Sequence, residues 1–159
     1  MTPILSIVNV LRNDDYDEFM SYKLNIILEI YDSLFKLIPE KKVELLFVDW
    51  GSRKPVLNSL QISKFLSKQI SYFYIPPQKA KSINPKESFP VAQAVNFGIR
   101  KSRGQYIMIT GSDQFLGPQQ LSLLLNILEK PKYHFIDPLG LFTMQRKFLN
   151  AKWRSWKHT

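Results

Sequence analysis

Two aspartates follow apolar runs that are typical of buried strands. Asp113 is the fourth residue after the run YIMI and lies within the small polar group TGSDQ, and Asp49 follows the run VELLFV and precedes Trp50, Gly51 and Ser52. A continuous apolar run of this length suits a strand that is buried on both faces. Open α/β sheets bind ligands outside the carboxyl ends of such strands. We therefore expect both carboxylates at the mouth of a crevice, the alternative for Asp113 being a tight turn into a helix.

Two carboxylates, backbone amides and a hydroxyl would form a hard, oxygen-rich site. Such ligands suit Mg²⁺ or Mn²⁺, which take one or two protein carboxylates and complete their shell with substrate phosphates. Residues 78–90 are rich in Lys, Pro and Ser and are predicted to form a long loop. Its Lys79, Lys81 and Lys86 could neutralise the same phosphates. The chemistry expected is the metal-assisted loss of a phosphorylated leaving group.

The elements that must position these groups alternate along the chain. Strands are predicted over 4–11, 43–50, 70–75 and 106–109, and helices over 16–38, 56–68, 91–102 and 118–128, with a further short strand at 133–136. This alternation predicts an α/β fold, a three-layer sandwich with a mostly parallel central sheet. If the first strand lies centrally, Asp49 and Asp113 flank it at one edge. Helix 91–102 is expected to turn Ala92, Val95, Ile99 and Ser102 toward the sheet, with Ala94 and Gly98 allowing close packing.

Composition excludes several classes of site. The 159 residues include no cysteine, so disulfides, zinc–thiolate sites and cysteine nucleophiles are excluded. No dinucleotide or P-loop glycine motif is present, His134 and His158 lack metal-ligand spacing, and Ser52 and Ser112 lack a histidine base. The net charge of +9 favours anionic partners, but the basic residues are spread along the chain and no nucleic-acid-binding signature accompanies them, so no nucleic acid partner is expected.

The sequence shows neither a membrane span nor the basic start of a signal peptide. Its apolar runs are far shorter than the ~20 residues that a bilayer requires. A cytoplasmic protein is expected. The segment 141–156, which contains Trp153 and Trp156 among basic residues, leaves open docking on a membrane surface or on a partner chain, with ordinary packing as the alternative.

Four blocks resemble the inverting glycosyltransferases of family 2, which have the GT-A fold. LSIVNVLRN at 5–13 is similar to the family's opening S-I-V-I-P-x-Y-N, and VELLFVDWGS at 43–52 to E-I-I-V-V-D-D-G-S. AVNFGI at 94–99, with the following Gly104 and Tyr106, resembles A-R-N-x-G-I-x-x-A-x-G-x-Y-I. GSDQ at 111–114 falls where the family has its D-x-D-D metal motif.

The resemblance implies a function and a set of site residues. The chain would transfer a sugar, of the hexosyl type, from a nucleotide-sugar donor to a glycan, lipid or protein acceptor with inversion, as in polysaccharide biosynthesis. Asp113 would bind the Mg²⁺ or Mn²⁺ that bridges the diphosphate. The nucleotide-sugar would be bound by the remaining site residues, with Asp49 on the base and Asn96 bracing the pocket: Leu11, Arg12, Asp49, Ser52, Asn96 and Ser112.

The sequence departs from the family motifs at positions that matter for chemistry. Gly111 replaces the first acidic residue of the metal motif and Trp50 replaces the second aspartate of the V-D-D-G-S block. No acidic segment suited to a catalytic base follows the metal motif. Asp137 is the sole carboxylate after Glu129, and its expected role is an Asp-Pro turn. A single domain over 1–159 is expected, with 1–130 binding the donor and 131–159 as a short remnant of the acceptor side. The alternative function is a non-catalytic or split-enzyme domain that binds a nucleotide-sugar, a glycan or a partner chain.

Overall fold

The computed structural model describes residues 2–13, 19–38, 42–86, 89–129, 135–136 and 143–145. Six strands form one sheet in the order β3-β2-β1-β4-β6-β5. The neighbours among the first four are parallel, whereas β6 runs antiparallel to β4 and β5 antiparallel to β6. The strands are β1 (Leu5–Leu11), β2 (Val43–Trp50), β3 (Ile70–Ile75), β4 (Tyr106–Thr110), β5 (Phe135–Ile136) and β6 (Thr143–Gln145).

The predicted α/β class with a mostly parallel sheet is confirmed. β1 lies between β2 and β4, and every residue of β1 and of β2 is buried. Strands that are covered on both faces need near-continuous apolar sequence, which is the pattern of both segments. The position of β1 puts the ends of β2 and β4 on either side of it, at the same edge of the sheet.

Four α-helices cover the two faces. The apolar face of α1 and the inward leucines of α4 pack in one core cluster with Leu5, Ile7 and Leu11 of β1, and α3 packs in a second cluster with Val8 and Val10. The inward leucines of α4 predicted from the sequence are all buried. The helices are α1 (Met20–Leu37), α2 (Pro77–Ile83), α3 (Val91–Lys101) and α4 (Pro118–Leu128).

Three local predictions were wrong. Residues 56–68 form two short 3-10 helices, Val56–Ser59 and Leu66–Lys68, instead of one helix. Ser59 Oγ donates to Val56 O at 2.8 Å and Ser63 Oγ accepts from Leu66 N at 3.0 Å, and such local bonds compete with a continuous helix.

The segment 78–90 is not one long loop, because α2 occupies its first part. Pro77 stands at the first helical position, where its fixed φ favours a helix and its missing N–H costs nothing. In α3 the face toward the sheet is centred on Ala94 and Gly98, and Ala92, which was expected on it, is exposed. Of the other residues expected there, Val95 and Ile99 are partly buried against the second core cluster and Ser102 is buried. The small residues that were expected to allow close packing form the contact face themselves.

Several predictions lie outside the described residues. These are residues 16–18 of the predicted first helix, both histidines, the Asp137 turn, and residues 146–156 of the segment that contains the two tryptophans. Within the described part of the chain, no helix is both long and apolar enough to cross a membrane.

A buried polar cluster closes the amino-terminal edge of the sheet. The Glu44 carboxylate accepts hydrogen bonds from Ser6 Oγ at 2.6 Å, from the backbone and Nε of Arg103, and from Gly104 N at 3.2 Å. Gly104 N also donates to Ser6 Oγ at 2.7 Å. The cluster joins β1, β2 and the segment that leads from α3 into β4, at the edge opposite the two aspartates.

Candidate functional site

The candidate site is the carboxyl edge of the parallel sheet, where the segments after β1, β2 and β4 emerge side by side. Leu11 is in register with Asp49 across β1 and β2, and Asn9 with Thr110 across β1 and β4. The residues that follow these positions therefore start from one level of the sheet. Asp113 lies three residues beyond β4, so both aspartates belong to this edge.

Asp49 is fully buried and its carboxylate is occupied by protein donors. Oδ1 accepts from Ser52 Oγ, and Oδ2 accepts from Val56 N at 2.9 Å and from the hydroxyl of Tyr72. Asp49 and Asp113 thus share an edge, as expected, but the Asp49 carboxylate does not line an open crevice. Its predicted contact with a nucleobase would require one of these donors to move away.

Ser52 extends this network to the neighbouring strands. Its side chain is fully buried, and its Oγ accepts from Asn13 N at 2.7 Å while its carbonyl oxygen accepts from the Tyr74 hydroxyl at 2.8 Å. The chain turns sharply before it, since Gly51 has φ 85°, a value that side-chain-bearing residues rarely adopt. Asp49 and Ser52 therefore act on the site by fixing the turn after β2.

The Tyr72 hydroxyl is held in its protonated, hydrogen-bond-donating form. Burial raises the pKa of Tyr72, and the hydrogen bond to the negatively charged Asp49 raises it further. At neutral pH this phenol therefore keeps its proton for the carboxylate. Tyr72 and Tyr74 connect the β3 strand to the turn after β2, and neither role was predicted.

Arg12 lies beside the turn after β2. An ideal Cβ built on Gly51 would lie 3.9 Å from Arg12 Nε and 3.5 Å from the Cβ of Ala80 in α2. Arg12 and α2 are thus brought together against Gly51. Lys79 and Lys81, on the same short helix as Ala80, are exposed, as is Lys86 after it, whereas the side chain of Leu11 is buried in the core.

The turn after β4 carries Ser112 and Asp113. Asn9 Nδ2 donates to Thr110 Oγ1 at 3.0 Å and to Gly111 O at 2.6 Å, and Gly111 N donates to the side-chain oxygen of Gln114 at 3.0 Å. Ser112 is partly exposed and Asp113 is exposed. A Cβ at position 111 would lie 2.9 Å from Asp113 Oδ1, so this carboxylate lies close over the glycine.

The predicted site residue Asn96 and Trp50, which replaces the motif's second aspartate, lie on the α3 side of the sheet. Asn96 is partly buried on α3. Trp50 is buried with its ring edge-on to Phe97, the centroids being 6.1 Å apart at 71°. Phe97 in turn meets Phe73 at 5.5 Å. The tryptophan that replaces the motif's second aspartate therefore packs α3 against the sheet.

Among the described residues at the carboxyl edge, Asp113 is the exposed carboxylate that could bind a metal ion. Among the described residues, no three His, Cys, Asp or Glu side chains come together as a metal site. A single carboxylate fits Mg²⁺ or Mn²⁺ when substrate phosphates and water complete the shell. Asp113, with the partly exposed Ser112 beside it, is the group suited to that role.

Sequence patterns contained a signal for two residues that the motifs did not identify. Asn9 and Glu44 are polar side chains inside otherwise apolar strands, and a polar group buried there must find partners. For Tyr72 no such signal exists, because a tyrosine on a half-buried strand is ordinary.

One solved structure has a fold similar to that of this chain. A mannosyltransferase, PcManGT from Pyrobaculum calidifontis, determined in complex with GDP-Man and Mn²⁺, matches at a TM-score of 0.68 and 13% identity. The match covers 96% of this chain and 47% of the mannosyltransferase, so the chain spans about half its length. TarS from S. aureus matches at a TM-score of 0.48 and 18% identity, over 82% of this chain and 33% of TarS.

A search of curated protein sequences finds no match. The family model for glycosyl transferase family 2 matches residues 16–156, which is most of the chain. The match includes the segments after β2 and β4 that form the carboxyl edge. The chain belongs to glycosyl transferase family 2.

Proposed function

We propose that this chain forms the donor-binding part of a glycosyltransferase that moves a hexose from a nucleotide-sugar to an acceptor hydroxyl with inversion. Residues 1–130 would bind the donor, and the acceptor would be a glycan, lipid or protein, as in polysaccharide biosynthesis. The observation that carries the proposal is the exposed Asp113, held on a braced turn at the carboxyl edge of the sheet in a member of this family.

A divalent metal fits the proposal. The mannosyltransferase with the similar fold was determined with GDP-Man and Mn²⁺. In this chain Asp113 would hold the metal, Ser112 would lie beside it, and the metal would balance the charge of the departing diphosphate. Arg12 and the exposed lysines Lys79 and Lys81 stand at the same edge and would add positive charge around the phosphates.

The reaction would be a single displacement. The acceptor oxygen forms a bond to the anomeric carbon from one side while the bond from that carbon to the diphosphate oxygen breaks on the other. The diphosphate leaves with the electron pair, and a base removes the proton of the acceptor. Asp49 and Ser52 would contribute by fixing the turn that borders the nucleotide, with direct contact between Asp49 and the base requiring displacement of Tyr72 or another donor.

Donor hydrolysis tests this proposal. The purified chain is incubated with GDP- or UDP-sugars and Mn²⁺, and release of the nucleoside diphosphate is measured. Turnover that needs Mn²⁺ is expected, and Asp113→Ala should reduce it by about 100-fold or more, because the lost group would stabilise charge that develops in the transition state. Glu129→Ala, which removes a carboxylate that bonds Lys42 at the opposite, amino edge of the sheet, is the matched control and should retain turnover. Equal turnover by wild type and Asp113→Ala would contradict the assignment of Asp113.

A second candidate function is donor binding without turnover. It is favoured by Gly111, which stands where the metal motif has its first aspartate. The same assay separates the two functions when it is combined with calorimetric titration of nucleoside diphosphate. Binding without release of product would support the non-catalytic domain.

A further inference from the structure

Asn9 is a buried polar residue of β1 whose side chain reaches the turn that carries Asp113. The residue is 1% exposed. Its Nδ2 lies 3.0 Å from Thr110 Oγ1 and 2.6 Å from Gly111 O, so one amide group donates hydrogen bonds both to the last residue of β4 and to the first residue beyond it. The motif that β1 resembles has an apolar residue at this position, so the amide is a feature of this chain.

The other half of the Asn9 amide is not satisfied. Its Oδ1 is buried and has no hydrogen-bond partner within the described residues. Exchanging the two amide atoms would place a carbonyl oxygen 2.6 Å from the carbonyl oxygen of Gly111, so Nδ2 is the atom that faces the turn. A buried acceptor without a partner lowers stability. Stability alone therefore does not account for an amide at this position.

The bond from Asn9 fixes the part of the turn on which Asp113 depends. Gly111 O is held by Asn9, and Gly111 N donates to Gln114 Oε1 at 3.0 Å. Asp113 Oδ1 lies over the same glycine, 2.9 Å from where a Cβ would stand. With no carboxylate at position 111, the location of Asp113 relative to the sheet depends on how Gly111 is held.

We propose that Asn9 is a positioning residue that holds the turn 111–114 so that Asp113 can take a divalent cation together with a nucleoside diphosphate. The identity of the ligands, a divalent cation and a nucleoside diphosphate, rests on the proposed function. The effect of Asn9 on the turn is inferred from the hydrogen bonds alone. Asn9 acts through Gly111 and need not touch the cation or the nucleotide.

The test compares Asn9→Leu with Ser6→Ala. Leucine keeps the branched outline of asparagine with bulkier ends, and it removes the bonds to Thr110 and Gly111 together with the unsatisfied oxygen. The lost bonds lower stability and the lost unsatisfied oxygen raises it, so the midpoint of thermal unfolding should fall no further than in Ser6→Ala. Ser6→Ala removes a buried hydroxyl from the same strand at the opposite edge, where it bonds Glu44 and Gly104. This control should lower the midpoint and leave cation binding unchanged. Asn9→Ala replaces Asn9→Leu if leucine prevents folding.

Two readouts are needed. Amide hydrogen exchange of residues 111–114 is measured by NMR, and Mn²⁺ affinity in the presence of GDP or UDP is measured by electron paramagnetic resonance. In Asn9→Leu, exchange in the turn should rise about tenfold, since an anchoring bond is gone. Mn²⁺ affinity should fall by about tenfold, as for other losses of groups that orient a metal ligand.

The outcomes separate the inference from the proposed function. Unchanged exchange in the turn of Asn9→Leu overturns the inference, as does a loss of Mn²⁺ affinity that merely follows a lowered unfolding midpoint. If wild type binds no Mn²⁺ with either nucleotide while Asn9→Leu loosens the turn, the proposed function fails and the hold of Asn9 on the turn is supported. A looser turn and weaker Mn²⁺ binding, at a midpoint no lower than that of Ser6→Ala, together support both.

Discussion

At Gly98 a single hydrogen in place of a side chain decides how closely α3 approaches the sheet. A Cβ at this position would lie 2.3 Å from Val8 Cγ1 and 3.1 Å from Val48 Cγ2. Both contacts involve branched side chains that are packed in the second core cluster, so neither can move aside cheaply. The residue therefore sets the distance between a helix and the two central strands.

Gly98→Ala should lower the free energy of unfolding by about 1–3 kcal/mol, because the forced shift of α3 outweighs the gain in helix propensity. Urea unfolding followed by circular dichroism measures the change. Gly117→Ala is the matched control: its Cβ would meet the flexible end of Gln120, at 2.5 Å from Oε1, and that side chain can rotate away. Equal losses in the two variants would contradict the close packing at Gly98.

At the scale of elements, the Asp49 carboxylate joins β2, β3 and the first 3-10 helix. Its partners are Ser52, Tyr72 and the backbone amide of Val56. A carboxylate suits this position because all three partners donate, whereas an asparagine would turn an NH₂ group toward at least one of them. The conformation of the turn after β2 thus depends on the two acceptor oxygens of one buried side chain.

Asp49→Asn should reduce the free energy of unfolding by about 2–4 kcal/mol, since it disrupts a buried hydrogen-bonded network. Tyr72→Phe removes only one donor and should cost about 1 kcal/mol. Hydrogen exchange at the Val56 amide should quicken in Asp49→Asn more than in Tyr72→Phe. The network would be ruled out as the support of this turn if the Val56 amide exchanged at the wild-type rate in both variants.

Most helices and strands could be predicted from the sequence, and residues 56–68 could not. β2 and α4 were placed with their observed bounds, because a continuous apolar run and a three-to-four-residue leucine spacing each permit one structure. The helix predicted over residues 56–68 was wrong because their apolar spacing fits a helix, whereas in the structure Ser59 and Ser63 bond the local backbone. Such competition depends on side-chain rotamers that a sequence pattern does not contain.

The site was predictable only as far as topology determines it. The order of strands put Asp49 and Asp113 at one edge, but whether a carboxylate faces solvent or the protein depends on its neighbours in space. Tyr72 is 23 residues from Asp49 and Asn9 is 101 residues from Thr110, so neither contact has a local signal. Motifs identified which residues stand at the edge, and the structure shows what each one touches.

On the scale of the whole molecule, polar contacts at the two edges of the sheet have different character. The carboxyl edge exposes Asp113 and the lysines of α2, whereas the amino edge is closed by the Glu44 cluster. Glu44 is 5% exposed and links β1, β2 and the start of β4. Its ionisation therefore bears on the stability of the sheet as a unit.

The Glu44 cluster should make stability fall in acid. Burial raises the pKa of Glu44, but hydrogen bonds from Ser6 and from the backbone and guanidinium of Arg103 lower it by more, so the net shift is downward. A carboxyl whose folded pKa is depressed contributes stability above its unfolded pKa, and this contribution is lost as the pH falls from the ordinary glutamate value of about 4.3 through the folded pKa.

Urea unfolding at a series of pH values from neutral to about 3, in wild type and Glu44→Gln, isolates this contribution. Glu44→Gln should be less stable by about 1–2 kcal/mol at neutral pH, since charge-assisted bonds are lost, and the difference should shrink in acid as the wild-type carboxylate takes up its proton. Other acidic groups, such as Asp32 with its lowered pKa, titrate in both proteins and cancel in the comparison.

Because the Arg103 side chain is 72% exposed, Arg103→Ala should reproduce only a small part of the loss, the backbone amides and Ser6 supplying the rest. Parallel stability curves for wild type and Glu44→Gln across this range would show that Glu44 does not couple the sheet to pH.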